Sequence, residues 1–318
     1  MGKPGYMQDG VWVEGVFNQR DSQGNFIRSQ STFRNRISRD GSSGFPAVSG
    51  RYHLIVALIC PWAHRAVITR KLKMLEDAIS IVQVDFGGAE GIVFGEGEGS
   101  EPDELYGYKF LHQFYSRSNP AFTGRVTVPV LWDKETHTIV NNESAEIADM
   151  LNEAFESDID LSPAPLRDEM EALNAVIHDR VNNGVYKVGF AASQEAYETA
   201  CNELFETLDM LEARLSTKRY LYGSSFTLGD VRLYTTLARF DIVYHNLFKC
   251  NKRMIKDYPN LFNYFKDLHQ TACFGDTVDL GRVKHIYFEH MRNHNPSGIV
   301  PLGPVIDLSS PHGRAAIA

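Results

Sequence analysis

The chain has 318 residues, 43% of them hydrophobic and 23% charged, with a formal net charge of −8. That is enough apolar material for one large domain or two ordinary ones. It has no Lys/Arg-rich block, which argues against a nucleic-acid partner, and its longest apolar run, Leu54 to Cys60, is far short of the roughly 20 residues that span a bilayer.

The opening MGKPGYMQDG has no apolar segment of the secretory type, and Tyr6 stands where a myristoylation site carries Ser or Thr. Residues 1–50 are polar and rich in Gly, Ser and Arg, and read as an irregular arm that packs at a few points such as Phe33 and Phe45. At Arg51 the pattern changes. RYHLIVAL reads as a buried strand, and PWAHRAVITRKLKML carries a helical stripe at Ala63, Ala66, Val67, Leu72 and Leu75. ISIVQVD (79–85) is a second strand and residues 87–102 a Gly-rich loop. Residues 103–118 read as a helix, 126–133 and 137–142 as a β-hairpin, and 143–155 as another helix. The order β-α-β-α-β-β-α is that of a thioredoxin-like domain, placed here at 51–155. A Pro/Ser/Asp linker follows at 156–166. An all-helical bundle is expected over 167–295, with helices at 167–183, 193–216, 227–246, 258–271 and 280–291, and a Pro/Gly-rich tail at 296–318. TLGD (227–230) resembles a capping box that starts a core helix.

Cys60 falls where strand gives way to helix, with Pro61 behind it. Proline suits the first helical position because that N–H would lack a partner anyway, so Cys60 is the expected N-cap. Unpaired N–H groups and the positive end of the helix dipole then face its sulfur. Such a setting lowers a thiol pKa from about 8.5 and favours the reactive thiolate, and His64 and Arg65 lie close enough to add positive charge. A buried structural cysteine is the competing reading. Position 63 is Ala, so a CxxC dithiol cycle is excluded, and a lone thiol needs an external thiol to resolve it, with glutathione the abundant candidate.

Cys201 lies in a helical stripe with Leu204 and Leu208, Cys250 in FKCNKR reads as structural, and Cys273 as incidental. Four cysteines without CxxC spacing do not make a disulfide scaffold and point to a reducing, cytoplasmic setting. Val128 precedes Pro129 at a strand start, where a thioredoxin-like sheet carries a cis proline whose preceding N–H and C=O pair with an extended peptide; an ordinary edge-strand proline competes. In NNESAEI the Ser144 hydroxyl and local N–H groups suit a carboxylate, and Glu143 an ammonium, the two charges of a γ-glutamyl group. A plain helix cap by Asn142 competes. The Gly-rich GEGEGS lacks a nucleotide-loop pattern, and His285, His290 and His294 lack the further ligands of a zinc site, so no metal is expected.

The segments RYHLIVALICPWAHR, TGRVTVPVLWD, TIVNNESAEI, NNGVYKVGFA, YLYGSSFTLGDVRLYTTLARFD, FKCNKRMIKDYPNL and NPSGIVPLGP together resemble the glutathionyl-hydroquinone reductases, the Xi-class glutathione transferases. The resemblance implies glutathione as co-substrate, Cys60 as nucleophile, and Ile92, Arg125, Val128, Pro129, Glu143 and Ser144 as the glutathione-binding set. It also implies an aromatic pocket in the helical domain, where Tyr186 and Tyr287 hydrogen-bond the phenolic oxygens, and a homodimer. An omega-like thioltransferase or dehydroascorbate reductase is the alternative activity, and a glutathione-fold binding protein without turnover is the alternative class. Ile92 stands where many relatives carry Trp, and His112 or Gln113 where many carry Arg, so glutathione binding is expected to differ in strength or shape. The tail motif reads IYF, which keeps Tyr287 and makes its neighbour Phe288.

Overall fold

The computed structural model describes residues 5–17, 19–97 and 99–317; the Met-Gly start lies outside them, as does Glu98 of GEGEGS. The chain divides into two compact units. The first comprises Met1–Asn18 and Ser29–Ile159, the second Gln19–Arg28 and Asp160–Ala318.

The first unit opens with an antiparallel hairpin, β1 (Gly5–Gln8) and β2 (Val11–Glu14), so the expectation of an irregular arm fails here. Asp9 and Gly10, both at positive φ, turn the chain back between the two strands. The central strand β3 (Tyr52–Val56) is buried along its whole length, as a strand paired on both sides must be. It leads into α1 (Pro61–Leu72) and then β4 (Ile79–Gln83), which runs parallel to β3. The expected Gly-rich loop contains a second hairpin, β5 (Asp85–Gly88) and β6 (Gly91–Val93), in which glycines at 87 and 91 take positive φ.

The helix expected over 103–118 is only α2 (His112–Ser118). Asp103 draws the amides of Leu105, Tyr106 and Tyr108 to its carboxylate, and Gly107 sits at φ +68°, so the chain turns instead of winding. The helix begins once Gln113 Oε1 accepts the amides of Lys109 and Phe110, each at 2.9 Å. Strands β7 (Val130–Asp133) and β8 (Thr138–Asn141) complete a sheet of order β4-β3-β7-β8, with β7 antiparallel to both neighbours. Helix α3 (Ser144–Glu153) packs on α1. The order is thioredoxin-like, with the β5–β6 hairpin inserted. A buried pair ties strand ends: Arg51 Nε and Nη2 donate to the two Asp133 oxygens at 2.8 and 2.6 Å.

The second unit is helical. It holds α4 (Arg167–Ile177), α5 (Gly184–Phe190), α6 (Gln194–Arg214), α7 (Leu228–Arg239), α8 (His245–Leu247), α9 (Pro259–Gln270) and α10 (Leu280–His290). Two expected continuous helices, 167–183 and 227–246, are each interrupted by a wider π turn, His178–Asn182 and Phe240–Tyr244. No described helix is long and apolar enough to cross a membrane.

The capping box at α7 is present. Thr227 Oγ1 accepts the Gly229 amide at 3.2 Å, and Asp230 Oδ2 accepts the Thr227 amide at 2.7 Å. Asp230 is fully buried and also accepts from Leu221 N (2.9 Å) and Tyr264 Oη (2.8 Å). Replacing it strands several buried donors at once, so Asp230→Ala is expected to cost about 3 kcal/mol or more in urea unfolding followed by circular dichroism.

Candidate functional site

Helix α1 starts at a proline, with four residues between it and the end of β3 at Val56. Pro61 is its first residue and Cys60 its N-cap, with Cys60 at φ −76°, ψ 115°. The Ala63 amide points at Cys60 Sγ from 3.5 Å, and the Val128 carbonyl oxygen lies 3.6 Å from the same sulfur. The Val128–Pro129 peptide is cis. The structure therefore brings three of the sequence-predicted residues, Cys60, Val128 and Pro129, to one place. Cys60 is partly exposed, whereas Cys201 and Cys250 are buried and burial pushes both their thiols up. Cys273 is partly exposed.

The second group sits at the start of α3. Glu143, rather than Asn142, is the N-cap: its Oε1 accepts the Ala145 amide at 3.4 Å, and its own amide donates to Asn141 Oδ1 at 2.6 Å. Asn142 is not available for capping. Its Oδ1 accepts the Phe33 amide at 3.1 Å and its Nδ2 donates to Tyr115 Oη at 3.2 Å. Ser144 is buried with its hydroxyl 3.5 Å from Nη1 of Arg65, a guanidinium only 1% exposed and stacked 4.5 Å over the Trp62 ring.

Tyr115 links this group to the cysteine loop. Its hydroxyl donates to Thr127 O at 2.8 Å, accepts the Thr127 amide at 3.1 Å and accepts from Asn142. Burial raises its pKa, so it remains a neutral phenol at neutral pH. No local signal marks this role, because a tyrosine within FLHQFY reads as part of an apolar face.

Two expected members of the glutathione set sit differently. Arg125 is exposed. Ile92 is 4% exposed, opposite Phe86 in the β5–β6 pair, and is a core residue of that hairpin. Its burial does not support its standing in for a ligand-facing Trp. The two candidates for the missing Arg are also engaged: His112 Nε2 meets Glu90 Oε2 at 2.7 Å and its ring stacks on Trp12, while Gln113 Oε1 accepts the Lys109 and Phe110 amides. Among the described residues no group of three or more His, Cys, Asp and Glu could hold a metal.

In the helical unit the two expected tyrosines meet. Tyr186 Oη and Tyr287 Oη are 3.3 Å apart, and a third hydroxyl, Tyr244 Oη, lies 3.3 Å from Tyr287. Burial raises the Tyr287 and Tyr244 phenols well above their ordinary value, so both hold their protons at neutral pH. Arg28, a residue of the arm, lies 4.8 Å over the Tyr186 ring and donates to Asn183 Oδ1 at 2.7 Å. Tyr244 escaped the sequence reading because the π turn that ends with it breaks the 3.6-residue periodicity.

The glutathione S-transferase N-terminal domain family matches residues 59–154, and the C-terminal domain family matches 194–267. The chain is 46% identical over 322 residues to the glutathionyl-hydroquinone reductase YqjG of Escherichia coli, covering 98% of each protein. It is 43% identical to the glutathionyl-hydroquinone reductase PcpF of Sphingobium chlorophenolicum, covering 96% of this chain and 97% of that one. It belongs to the glutathionyl-hydroquinone reductases, the Xi-class glutathione transferases. Among solved structures, the glutathione-bound structure of YqjG superposes with a TM-score of 0.90 at 44% identity, covering 98% of this chain and 99% of that one. The Xi-class enzyme of Natrialba magadii superposes with a TM-score of 0.92 at 40% identity, covering 99% and 97%.

In this Xi-class chain exposure separates the partly exposed thiols, Cys60 and Cys273, from the buried pair, Cys201 and Cys250, by alkylation. Iodoacetamide at neutral pH is expected to modify Cys60 in the native protein, while Cys201 and Cys250 react only after denaturation. Peptide mass mapping checks this, and early labelling of the buried pair would contradict the packing.

Proposed function

We propose that this enzyme reduces glutathionyl-hydroquinones with Cys60 as its nucleophile. The observation that carries the reading is the Cys60 sulfur at the mouth of α1, with the Ala63 amide aimed at it and the Val128 carbonyl beside it. A thiolate there is favoured by the helix dipole and its amide donors. In the first step the thiolate attacks the glutathione sulfur of the conjugate. With the ring in its keto tautomer, its phenolic proton moved to the carbon that bears sulfur, an S–S bond forms, the S–C bond breaks, and its electron pair passes into the ring to leave a phenolate oxygen that takes up a proton. In the second step a glutathione thiolate attacks the Cys60–glutathione disulfide, releasing oxidised glutathione and returning the Cys60 thiolate. The ring gains two electrons and the two glutathione sulfurs lose them.

Glutathione is read into the first unit by its extended backbone and its two charged ends. Val128 and Pro129 take the cysteinyl backbone, Ser144 and the α3 amides take the γ-glutamyl carboxylate, and Glu143 takes the ammonium. Arg125, exposed on the loop that carries Val128, is assigned to the glycyl end. The phenol chain Tyr244–Tyr287–Tyr186 suits a hydroquinone, because neutral hydroxyls donate to a phenolic oxygen as negative charge develops on it. The co-substrate is glutathione, no metal takes part, and a cytoplasmic homodimer is the form we assign.

A second reading has support in the 44% identity to an omega-like transferase of Schizosaccharomyces pombe: reduction of small mixed disulfides. Incubation with oxidised glutathione should add one glutathionyl unit to the intact mass and none to Cys60→Ser. Absence of the adduct would overturn the nucleophile assignment. Tyr186→Phe should lower kcat/KM for a glutathionyl-hydroquinone by about tenfold or more while leaving a small mixed disulfide nearly unaffected, as expected from loss of one transition-state donor. Equal loss on both substrates would sink the phenol pocket.

A further inference from the structure

The N-terminal arm is more than a wrapping. Residues 31–37 run alongside β8, the edge strand of the four-stranded sheet. Asn35 N donates to Val140 O at 3.0 Å, Asn142 N to Phe33 O at 3.1 Å, and Phe33 N to Asn142 Oδ1 at 3.1 Å. Asn141 Nδ2 donates to Asn35 O at 3.0 Å. Arg34 forks onto the Glu146 carboxylate, with Nε to Oε2 at 2.8 Å and Nη2 to Oε1. Phe33 packs on Tyr115 and Phe122, with centroids 5.6 and 5.7 Å away. The arm is thus held in register against the chain that leads into α3.

That register places Ser31 beside Glu143. Ser31 Oγ is 2.9 Å from Glu143 Oε2 and 3.2 Å from Asn142 O. The helix cap alone is a loose hold on this carboxylate, since the Ala145 amide reaches Oε1 only at 3.4 Å. A glutamate has three side-chain torsions to fix, and each costs entropy unless a contact holds it. With one oxygen on the helix amide and the other on the Ser31 hydroxyl, the carboxylate plane is set. Each oxygen has a further acceptor direction for a cation.

We propose that Ser31 is a positioning residue for glutathione recognition: it orients the Glu143 carboxylate toward the γ-glutamyl ammonium, and the arm exists in part to carry it there. The proposal rests on the assignment of Glu143 to that ammonium made above. Ser31 touches the carboxylate and not the reacting sulfur, so its effect belongs in glutathione affinity and not in chemistry at Cys60.

The test compares a glutathionyl-hydroquinone with the same hydroquinone conjugated to glutaryl-cysteinylglycine, the tripeptide without the ammonium, as the varied substrate in steady-state turnover with glutathione as the resolving thiol throughout. Ser31→Ala is expected to raise KM for the glutathionyl conjugate about three- to tenfold, the net effect of one orienting hydrogen bond, with kcat unchanged. Its KM for the desamino conjugate should match that of the unaltered enzyme, and Ser31→Thr should keep the glutathionyl-conjugate value. Loss on both conjugates alike, or on neither, overturns the proposal. Glu143→Gln, measured in parallel, separates this from the underlying reading. If Glu143→Gln discriminates between the conjugates as the unaltered enzyme does, the carboxylate assignment falls and the proposal with it. If it loses discrimination while Ser31→Ala behaves normally, the arm's role alone falls.

Discussion

The sulfur of Cys60 lies where strand β3 has ended and helix α1 has not yet closed its first hydrogen bonds. The chemistry proposed for the first unit depends on that placement. Pro61 begins the helix without an N–H of its own, and the Ala63 amide is left to face the thiol. A fully buried strand in front and a helix packed on α3 behind hold the position. The same residue type elsewhere in the chain behaves differently. Cys201 and Cys250 sit in apolar surroundings that favour the neutral thiol, so burial and reactivity sort the cysteines in opposite directions.

Around that sulfur, polar groups are arranged by contacts far apart in sequence. Tyr115 ties Thr127 to Asn142, so the loop that carries Val128 and the loop that carries Glu143 share one buried phenol. Arg65 reaches the Ser144 hydroxyl from α1. The arm adds an outer layer on β8, where an edge strand would otherwise present unpaired backbone groups. Hydrogen bonds of this kind are individually modest, but they fix directions, and direction is what the proposed recognition of a carboxylate and an ammonium on one small peptide requires.

In the helical unit the comparable device is a row of phenols. Two π turns, one running up to Asn182 and one ending on Tyr244, widen the helices that carry Tyr186 and Tyr244. The hydroxyls of both fall within 3.3 Å of Tyr287 on α10. Because burial holds Tyr244 and Tyr287 neutral, the row offers protons instead of charge, which suits the phenolate proposed to leave.

Legible in the amino-acid order alone were the alternation of strand and helix after Arg51, the N-cap position of Cys60, the capping box at Thr227 and Asp230, and the helical nature of the second unit. All are set within a few residues by periodicity, proline and capping chemistry. The folded chain was needed to show that part of the arm forms a hairpin and part lines β8, that Gly107 and Asp103 shorten the helix expected over 103–118, that Glu143 and not Asn142 caps α3, and that Ile92 is buried. It alone brought Ser31 to Glu143 and Tyr244 to Tyr287. The reason is range. A cap or a breaker acts on its own turn of chain, whereas a hydroxyl in a polar arm or a phenol on an apolar face acquires its partner only when distant segments pack, and local pattern holds no record of that.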